Sequence, residues 1–146
     1  MRVCLVDIGE YLPRISALNA DQWHEHGYGY EFKPDRATYK RVQDNGNLVL
    51  FVAFDGEEII GYASAMICPS LWNDQVVTCI SDSIFVSKPY RKTSAGGRLI
   101  LAIENEARKR GALFVQWGVK PGSRLHETFA KRGYEAKDIM MFKELS

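Results

Sequence analysis

The chain has 146 residues, of which 46% are hydrophobic and 12% aromatic, enough for the core of one compact domain and too many for a disordered chain. Nineteen basic and eighteen acidic residues leave a net charge of +1, which argues against nucleic acid or an anionic membrane as a partner. No apolar run approaches the ~20 residues of a membrane span, and no signal-peptide flanks are present. We expect a cytoplasmic protein with one domain over residues 1–146.

Three cysteines and a pair of histidines have spacings that do not favour a metal site. Cys4, Cys68 and Cys79 form no C-x-x-C pair and lie in apolar stretches, which is typical of reduced, buried thiols. His24 and His26 are one residue apart, so they do not share a helical face, and no third ligand follows at a recognised spacing. The sequence therefore predicts no bound metal.

Apolar periodicity and turn residues divide the chain into strands and helices. Strands are predicted over residues 3–8, 48–54, 58–66, 80–86, 113–119 and 134–143. Helices are predicted over 10–26, 34–42 and 123–131, and a further helix carries Leu99, Ile103 and Ala107 on one face before Gly111 ends it. This order predicts an α/β fold in which one mixed, mostly antiparallel sheet has helices on both faces.

The loop between the strand at 80–86 and the next helix is short, cationic and built from small residues. Small residues at a helix start let backbone N–H groups approach an anion, which the helix dipole also favours; here they are Ser94, Ala95, Gly96 and Gly97. Positive charge comes from Arg91, Lys92 and Arg98. The pattern indicates a phosphate cradle, with an ordinary solvated turn as the alternative. A Walker-type ATP loop is disfavoured because no Gly-Lys-Ser or Gly-Lys-Thr triplet exists.

Two motifs in this order resemble those of a known family. Val86-x-x-Pro89-Tyr90-Arg91 runs into Arg91-x-x-Ser94-x-Gly96, and a short helix later leads into Lys131-Arg132-Gly133-Tyr134. Together they look like the acyl-CoA loop and the second signature of the GNAT superfamily of N-acyltransferases. The chain departs from the family pattern in having Ser94 where the first glycine usually stands and Pro89 one place later than is common.

The resemblance implies that acetyl-CoA is the acetyl donor and that it is held by the strand and the loop. The loop, which would bind the pyrophosphate, consists of Arg91, Lys92, Thr93, Ser94, Ala95, Gly96 and Gly97. In the family the preceding strand bulges and its free amides bind the pantetheine arm, a role that falls on the backbone of Ile84, Phe85 and Val86. Ser123 and Phe129 stand where the family has an Asn and a Tyr beside the cofactor. Direct attack of an amine in a ternary complex is the implied reaction.

Asp82 is the candidate base for that reaction, because a protonated amine must lose a proton before it attacks. Alternation along the strand puts Asp82 in phase with Ile84 and Val86, which makes an acid there unusual unless it has a function. A carboxylate that pairs with a nearby loop is an equally weighted alternative. With Phe129 in place of the usual Tyr, His126 one turn earlier is the candidate general acid, and a surface histidine is the alternative.

The acceptor is the least defined part of the sequence-based interpretation. In the family the segment between the first two helices lines the acceptor pocket, so Trp23, His24, Tyr28 and Tyr30 are candidate substrate-binding residues. Aromatic cover for a sheet edge is the alternative. The acceptor is expected to be a small-molecule amine or a polypeptide amine, and a monomer and a homodimer both remain open. A GNAT-fold protein that binds CoA without turnover is the competing function.

Overall fold

The computed structural model describes residues 1–145, which fall into two compact units, residues 1–116 and residues 117–145. In chain order the first unit contains β1 (Arg2–Val6), α1 (Ile8–Tyr11), α2 (Ser16–His26), α3 (Arg36–Asp44), β2 (Leu48–Asp55), β3 (Glu58–Pro69), β4 (Val77–Val86), α4 (Ala95–Lys109) and β5 (Ala112–Gln116). The second unit contains α5 (Arg124–Lys131). Among the described residues, no helix is long and apolar enough to cross a membrane.

The strands of the first unit form one sheet in the order β1-β2-β3-β4-β5. The first three pairs are antiparallel and β4 pairs with β5 in parallel, which confirms the prediction of a mixed, mostly antiparallel sheet. The β2–β3 hairpin turns at Gly56, whose φ of +58° lies in the left-handed region that glycine adopts without strain. Asp55 pairs with Glu58 across this turn.

Helices cover both faces of the sheet, as predicted. Alternate residues of β2 point to opposite faces, and all of Leu48 to Phe54 are buried. Leu48, Leu50, Val52 and Phe54 pack with Ile8, Leu12 and Ile15 of the segment that starts at α1. On α4, the fully buried Leu99, Ile100 and Ile103 contribute to the core, and this helix contacts β2 and β3. The helix predicted over 10–26 is divided, with α1 ending at Tyr11 and α2 beginning at Ser16.

The second unit is organised around its helix. The hydroxyl of Ser123 accepts the backbone N–H of His126 and so caps the start of α5. Phe129 lies between two rings, with centroid distances of 4.9 Å to Trp117 and 5.0 Å to Tyr134. The helix predicted over 123–131 is therefore confirmed.

The predicted strand over 134–143 is wrong: the described residues in that range carry no strand. A strand forms only against a partner edge that takes up its N–H and C=O groups, and such a partner is not encoded in the segment itself. Its apolar side chains are also consecutive rather than alternating, and in the structure they are exposed: Ile139, Met140, Met141 and Phe142.

Candidate active site

Asp82 is the extra residue of a β-bulge between β3 and β4. Ser64 pairs with Ser83, but its neighbour Ala65 pairs with Ser81, so Asp82 has no partner in the register. A bulge re-aims the side chains around it. As a result the consecutive residues Asp82 and Ser83 both line the same cleft, which strict alternation along a strand would forbid.

Two hydroxyl groups hold one oxygen of the Asp82 carboxylate. Oδ2 accepts from the Ser64 hydroxyl at 2.8 Å and from the Tyr39 hydroxyl at 3.2 Å. Within the part of the chain that the structure describes, Oδ1 accepts no hydrogen bond from a protein group. Burial, together with the nearby Asp82 carboxylate, raises the pKa of Tyr39 well above its usual range. Tyr39 therefore stays protonated and donates, which leaves Oδ1 as the oxygen able to take a proton from a ligand.

The cleft beside Asp82 is walled by aromatic rings. It has about 580 Å³ of empty space, counting the part open to solvent. Trp23 of α2 lies 4.4 Å from Tyr28 and 4.8 Å from Phe32, measured between ring centroids. Tyr39 and Tyr62 complete the aromatic lining, and the apolar floor comes from Ile8, Leu12, Ile15 and Leu50.

A buried polar network forms the back of the cleft. Asn19 Nδ2 donates to the Tyr62 hydroxyl at 2.7 Å, and that hydroxyl donates to Gln22 Oε1. Gln22 in turn donates from Nε2 to the Ser83 hydroxyl at 2.9 Å. Burial raises the pKa of Tyr62 to about 12, so its hydroxyl remains a donor at neutral pH. The network fixes α2 against β3 and β4 and so sets the width of the cleft.

The four predicted acceptor residues lie in different positions relative to this cleft. Trp23 and Tyr28 line it. Tyr30 lies behind Trp23: its carbonyl accepts the indole N–H at 2.9 Å, and its ring is 5.8 Å from the Trp23 ring. His24 is exposed on α2 and is not among the described residues that line the cleft. Substrate contact by these residues stays a prediction.

Beyond the bulge, one edge of β4 has backbone groups that form no hydrogen bond with another strand of the described chain. The Ser87 N–H donates to the Ile60 carbonyl, so by antiparallel alternation Phe85 is hydrogen-bonded to β3 while Ile84 and Val86 face away. In the described chain β5 pairs with β4 only at Val77, Cys79 and Ile80. The N–H groups of Ile84 and Val86 therefore point into the gap where β4 and β5 separate.

The register of β4 with β3 bears on the three residues assigned to the pantetheine arm. The bulge lies at Asp82, and Ile84 to Val86 keep a regular register with β3. The amide of Phe85 is used by the sheet, and its side chain is buried, so it offers no backbone donor to a ligand. Ile84 and Val86 keep the predicted geometry of free strand amides.

The start of α4 presents two further N–H groups. The Thr93 hydroxyl accepts the N–H of the buried Ala95 at 3.2 Å, and the Arg98 N–H donates to the Ser94 carbonyl. Gly96 and Gly97 lie between them in the first turn, where N–H groups have no partner inside a helix. A Cβ on Gly96 would meet only Val86 Cγ2, at an ordinary 3.9 Å. Protein packing therefore does not require a glycine here, whereas close approach of a ligand to the backbone would.

Arg91 holds the loop to its surroundings. Its guanidinium donates two hydrogen bonds of 2.8 Å to the Glu25 carboxylate and one of 2.8 Å from Nε to the Val86 carbonyl. The sequence analysis assigned the positive charge of Arg91 to the pyrophosphate of CoA. In the structure this charge is paired with the carboxylate of Glu25 at the end of α2. Lys92 is exposed, and Arg98 donates to the Met1 carbonyl at 2.9 Å. Direct contact of these cations with phosphate stays a prediction.

The remaining candidates lie in the second unit and are described within it. His126 Nδ1 accepts the backbone N–H of Gly122 at 2.9 Å, so in a neutral ring the proton is on Nε2. The Ser123 hydroxyl is used as the helix cap, and Phe129 is packed between two rings. Roles of these three residues in acid catalysis or cofactor binding stay predictions.

Sequence reasoning missed the residues that support Asp82 and the cleft. Tyr39 and Ser64 were not identified, because their roles depend on which strand and helix lie beside the bulge. A signal did exist for Asn19 and Gln22, which follow Ile15 at i+4 and i+7 and therefore place polar groups on the inner face of a helix. Buried amides on an apolar stripe indicate a polar network.

Solved structures share this fold. One is an aminoglycoside acetyltransferase from an uncultured soil metagenomic sample, in complex with sisomicin, with a TM-score of 0.78 and 15% identity over 99% of this chain and 96% of that one. Aminoglycoside N-acetyltransferase AAC(6')-Iy in complex with CoA gives 0.73 and 16%, over 99% of both chains. A ribosomal-protein-alanine N-acetyltransferase from Brucella melitensis biovar Abortus gives 0.72 and 12%, over the whole of both. Identities this low show the fold alone.

The family follows from a sequence comparison. Residues 15–134 match the model described as the Acetyltransferase (GNAT) family, while a search of curated proteins finds no match. The fold and this match define the class of protein as an acetyltransferase. The chain belongs to the GNAT family, whose acetyltransferases use acetyl-CoA.

Proposed function

We propose that the chain is an N-acetyltransferase that moves an acetyl group from acetyl-CoA to a primary amine by direct attack in a ternary complex. The observation that carries this proposal is the Asp82 carboxylate, which leaves Oδ1 open in an aromatic cleft. Asp82 precedes the free amide of Ile84 by two residues on the same strand. A proton acceptor and a candidate acyl-binding edge therefore lie side by side.

The structure offers groups suited to CoA at two places in the first unit. The free amides of Ile84 and Val86 are donors for the amide carbonyls of a pantetheine arm, and one of them can polarise the thioester carbonyl. The N–H groups of Gly96 and Gly97 at the positive end of α4 suit a pyrophosphate. Acetyl-CoA supplies an acetyl group already activated as a thioester.

The chain's own contribution to the reaction is proton transfer and orientation. A primary ammonium in the cleft passes one proton to Asp82 Oδ1, because only the neutral amine has a lone pair for attack. The C–N bond then forms as the C–S bond breaks, and the second proton that the nitrogen loses ends on the departing sulfur, giving the neutral acetamide and CoA. A thiol has a pKa near ~8.5, so its thiolate leaves without obligatory help. A proton from His126 would accelerate this departure, and His126→Ala tests that role separately.

The proposal is tested by Asp82→Asn in an assay of free thiol release from acetyl-CoA with a panel of primary amines. We expect kcat to fall by roughly 10²-fold or more, because the amide cannot accept the proton, while the calorimetric affinity for CoA stays unchanged. Asp74→Asn, which removes a surface carboxylate from the loop before β4, is the matched control and should retain activity.

Two outcomes would contradict the proposal at different points. If no amine raises thiol release above buffer in the wild-type protein while CoA still binds, the protein is the CoA-binding form without turnover. That alternative is motivated by Phe129 and Ser123, which stand where family members have Tyr and Asn. If Asp82→Asn turns over with an unaltered pH–rate profile, Asp82 is not the base.

A further inference from the structure

We infer that the acceptor is a compact, apolar primary monoamine, such as an arylalkylamine, whose ammonium meets Asp82 and whose body lies among the rings of the cleft. This inference rests on the proposed function, since it names the substrate class of the same site. It follows from the charge of the residues that line the cleft and from the apolar chemistry of its walls.

The charge of the lining selects a single cation. Among the described residues that line the cleft, Asp82 is the one carboxylate, and none is Lys, Arg or His. An acceptor with its own carboxylate or phosphate would enter without a cationic partner, at a large desolvation penalty. An acceptor with several ammonium groups would find one carboxylate for all of them. The neighbouring acid Glu25 is already paired with Arg91.

The chemistry of the walls selects an apolar body. The Trp23 ring lies 4.4 Å from the Tyr28 ring and 4.8 Å from the Phe32 ring, measured between centroids, and the floor of the cleft is aliphatic. Ring faces attract apolar groups, and they also attract an ammonium group that approaches Asp82. Asn19 Nδ2 and both polar atoms of the Gln22 amide bond to Tyr62 and Ser83. Among the described lining residues this leaves Asn19 Oδ1 as the buried side-chain atom without a protein partner, which is one acceptor for a sugar that carries many hydroxyl groups.

Trp23 is fixed in place before any ligand binds. Its indole N–H donates to the Tyr30 carbonyl at 2.9 Å, and Tyr28, Tyr30 and Phe32 pack around its ring. A wall that is ordered in advance loses little entropy on binding. The segment after α2 therefore acts as a rigid apolar cover for the amine's body.

The test compares acceptors that differ in one property each. In the thiol-release assay, 2-phenylethylamine should exceed ethylamine in kcat/KM by roughly 10–100-fold, the contribution of one buried ring. Phenylalanine, which adds only a carboxylate, should fall at least about 100-fold below 2-phenylethylamine. Kanamycin and a peptide with an N-terminal alanine should both be poorer than 2-phenylethylamine.

A pair of tryptophan variants separates the cleft from the rest of the surface. Trp23→Ala should raise KM for 2-phenylethylamine at least tenfold and reduce the preference for 2-phenylethylamine over ethylamine by a similar factor. Trp72→Ala is the control, because Trp72 is 98% exposed in the loop before β4. Circular dichroism and the CoA affinity of Trp23→Ala report whether the variant is folded.

The outcomes distinguish this inference from the proposed function. A preference for kanamycin, for the peptide or for phenylalanine, with clear turnover, overturns the apolar monoamine and leaves the transferase standing. Calorimetry gives a readout without turnover: binding of 2-phenylethylamine but not phenylalanine, lost in Trp23→Ala, supports the ligand class even if no acetyl transfer occurs. Absence of 2-phenylethylamine binding together with absence of its turnover rejects the inference.

Discussion

Tyr39 orients the Asp82 carboxylate without accepting the proton itself, so a variant that lacks its hydroxyl separates orientation of Asp82 from proton transfer. Its hydroxyl is one of the two donors to Oδ2, and the raised pKa keeps it protonated across the working range of pH. We expect Tyr39→Phe to lower kcat roughly tenfold, since a hydrogen bond to a charged group contributes about 1.5–3 kcal/mol and Ser64 retains the other one. The affinity for CoA should not change.

Steady-state kinetics with the amine and with acetyl-CoA varied in turn check this expectation. Tyr11→Phe is the matched control, because the Tyr11 ring packs on Phe54 and does not line the cleft. A change in the KM for acetyl-CoA instead of kcat would show that Tyr39 acts on the fold of the site rather than on Asp82.

At the scale of single residues, the sequence indicated Asp82 through a physical argument that was only partly right. Alternation marked an acid in phase with apolar residues, but the structure places Asp82 in a bulge, where alternation is broken. The register of two strands that are remote along the chain decides this, so no local pattern contains it. The same is true of Ser64 and Tyr39, which meet Asp82 only in the folded chain.

Among the elements, α4 carries the feature most open to test. Gly96→Leu should weaken CoA binding at least tenfold, because a side chain in the first turn fills the space in front of the free amides. The fold should not suffer, since Cβ at this position makes only an ordinary contact and a helix favours Leu over Gly by up to about 1 kcal/mol. Calorimetry with CoA and thermal unfolding measure the two effects independently.

The control for this variant is Lys109→Leu, which adds the same side chain at an exposed position in the last turn of α4. Both variants should unfold at or above the wild-type temperature, and only Gly96→Leu should lose affinity. Unchanged CoA affinity in Gly96→Leu would refute the assignment of the α4 start as the pyrophosphate site.

Elements with strong local signals were predicted well, whereas those that depend on a partner were not. The strands on either side of Gly56, the apolar face of α4 and the helix that begins after Ser123 follow from patterns in adjacent residues and are present in the structure. The strand predicted over 134–143 was wrong, and the described residues give it no neighbouring edge. The protein partner of Arg91 could not be predicted for a similar reason, since it is a carboxylate 66 positions away.

For the whole molecule, the sequence predicted the class of fold because strand order and helix placement follow from the pattern of short connections. The family match over residues 15–134 agrees with that class. The cleft was harder to predict from the sequence, because its lining comes from α1, α2, α3, β2, β3 and β4 and from the segments between the helices. The core at that junction includes Tyr62, which is 2% exposed and belongs to both the packing and the polar network.

Burial of Tyr62 predicts a loss of global stability at alkaline pH. Its pKa of about 12 in the folded protein lies above the ordinary value of 10.0, so folding favours the neutral phenol. The stabilisation is fully present below pH 10 and is lost as pH rises from 10 through about 12, because the unfolded chain ionises first. Free energies from urea unfolding at pH 8 and at intervals up to 12 should show this decline.

Tyr62→Phe isolates the contribution from other groups that titrate in the same range, including Cys79, whose pKa burial raises to about 11. The variant should be less stable at pH 8 by roughly 1–3 kcal/mol, because Asn19 and Gln22 lose their shared partner. Its free energy of unfolding should then decline less steeply than that of the wild type between pH 10 and 12. Parallel curves over this range would show that Tyr62 ionises as easily in the folded chain as in the unfolded one, and that the junction of α2 with β3 is open to solvent.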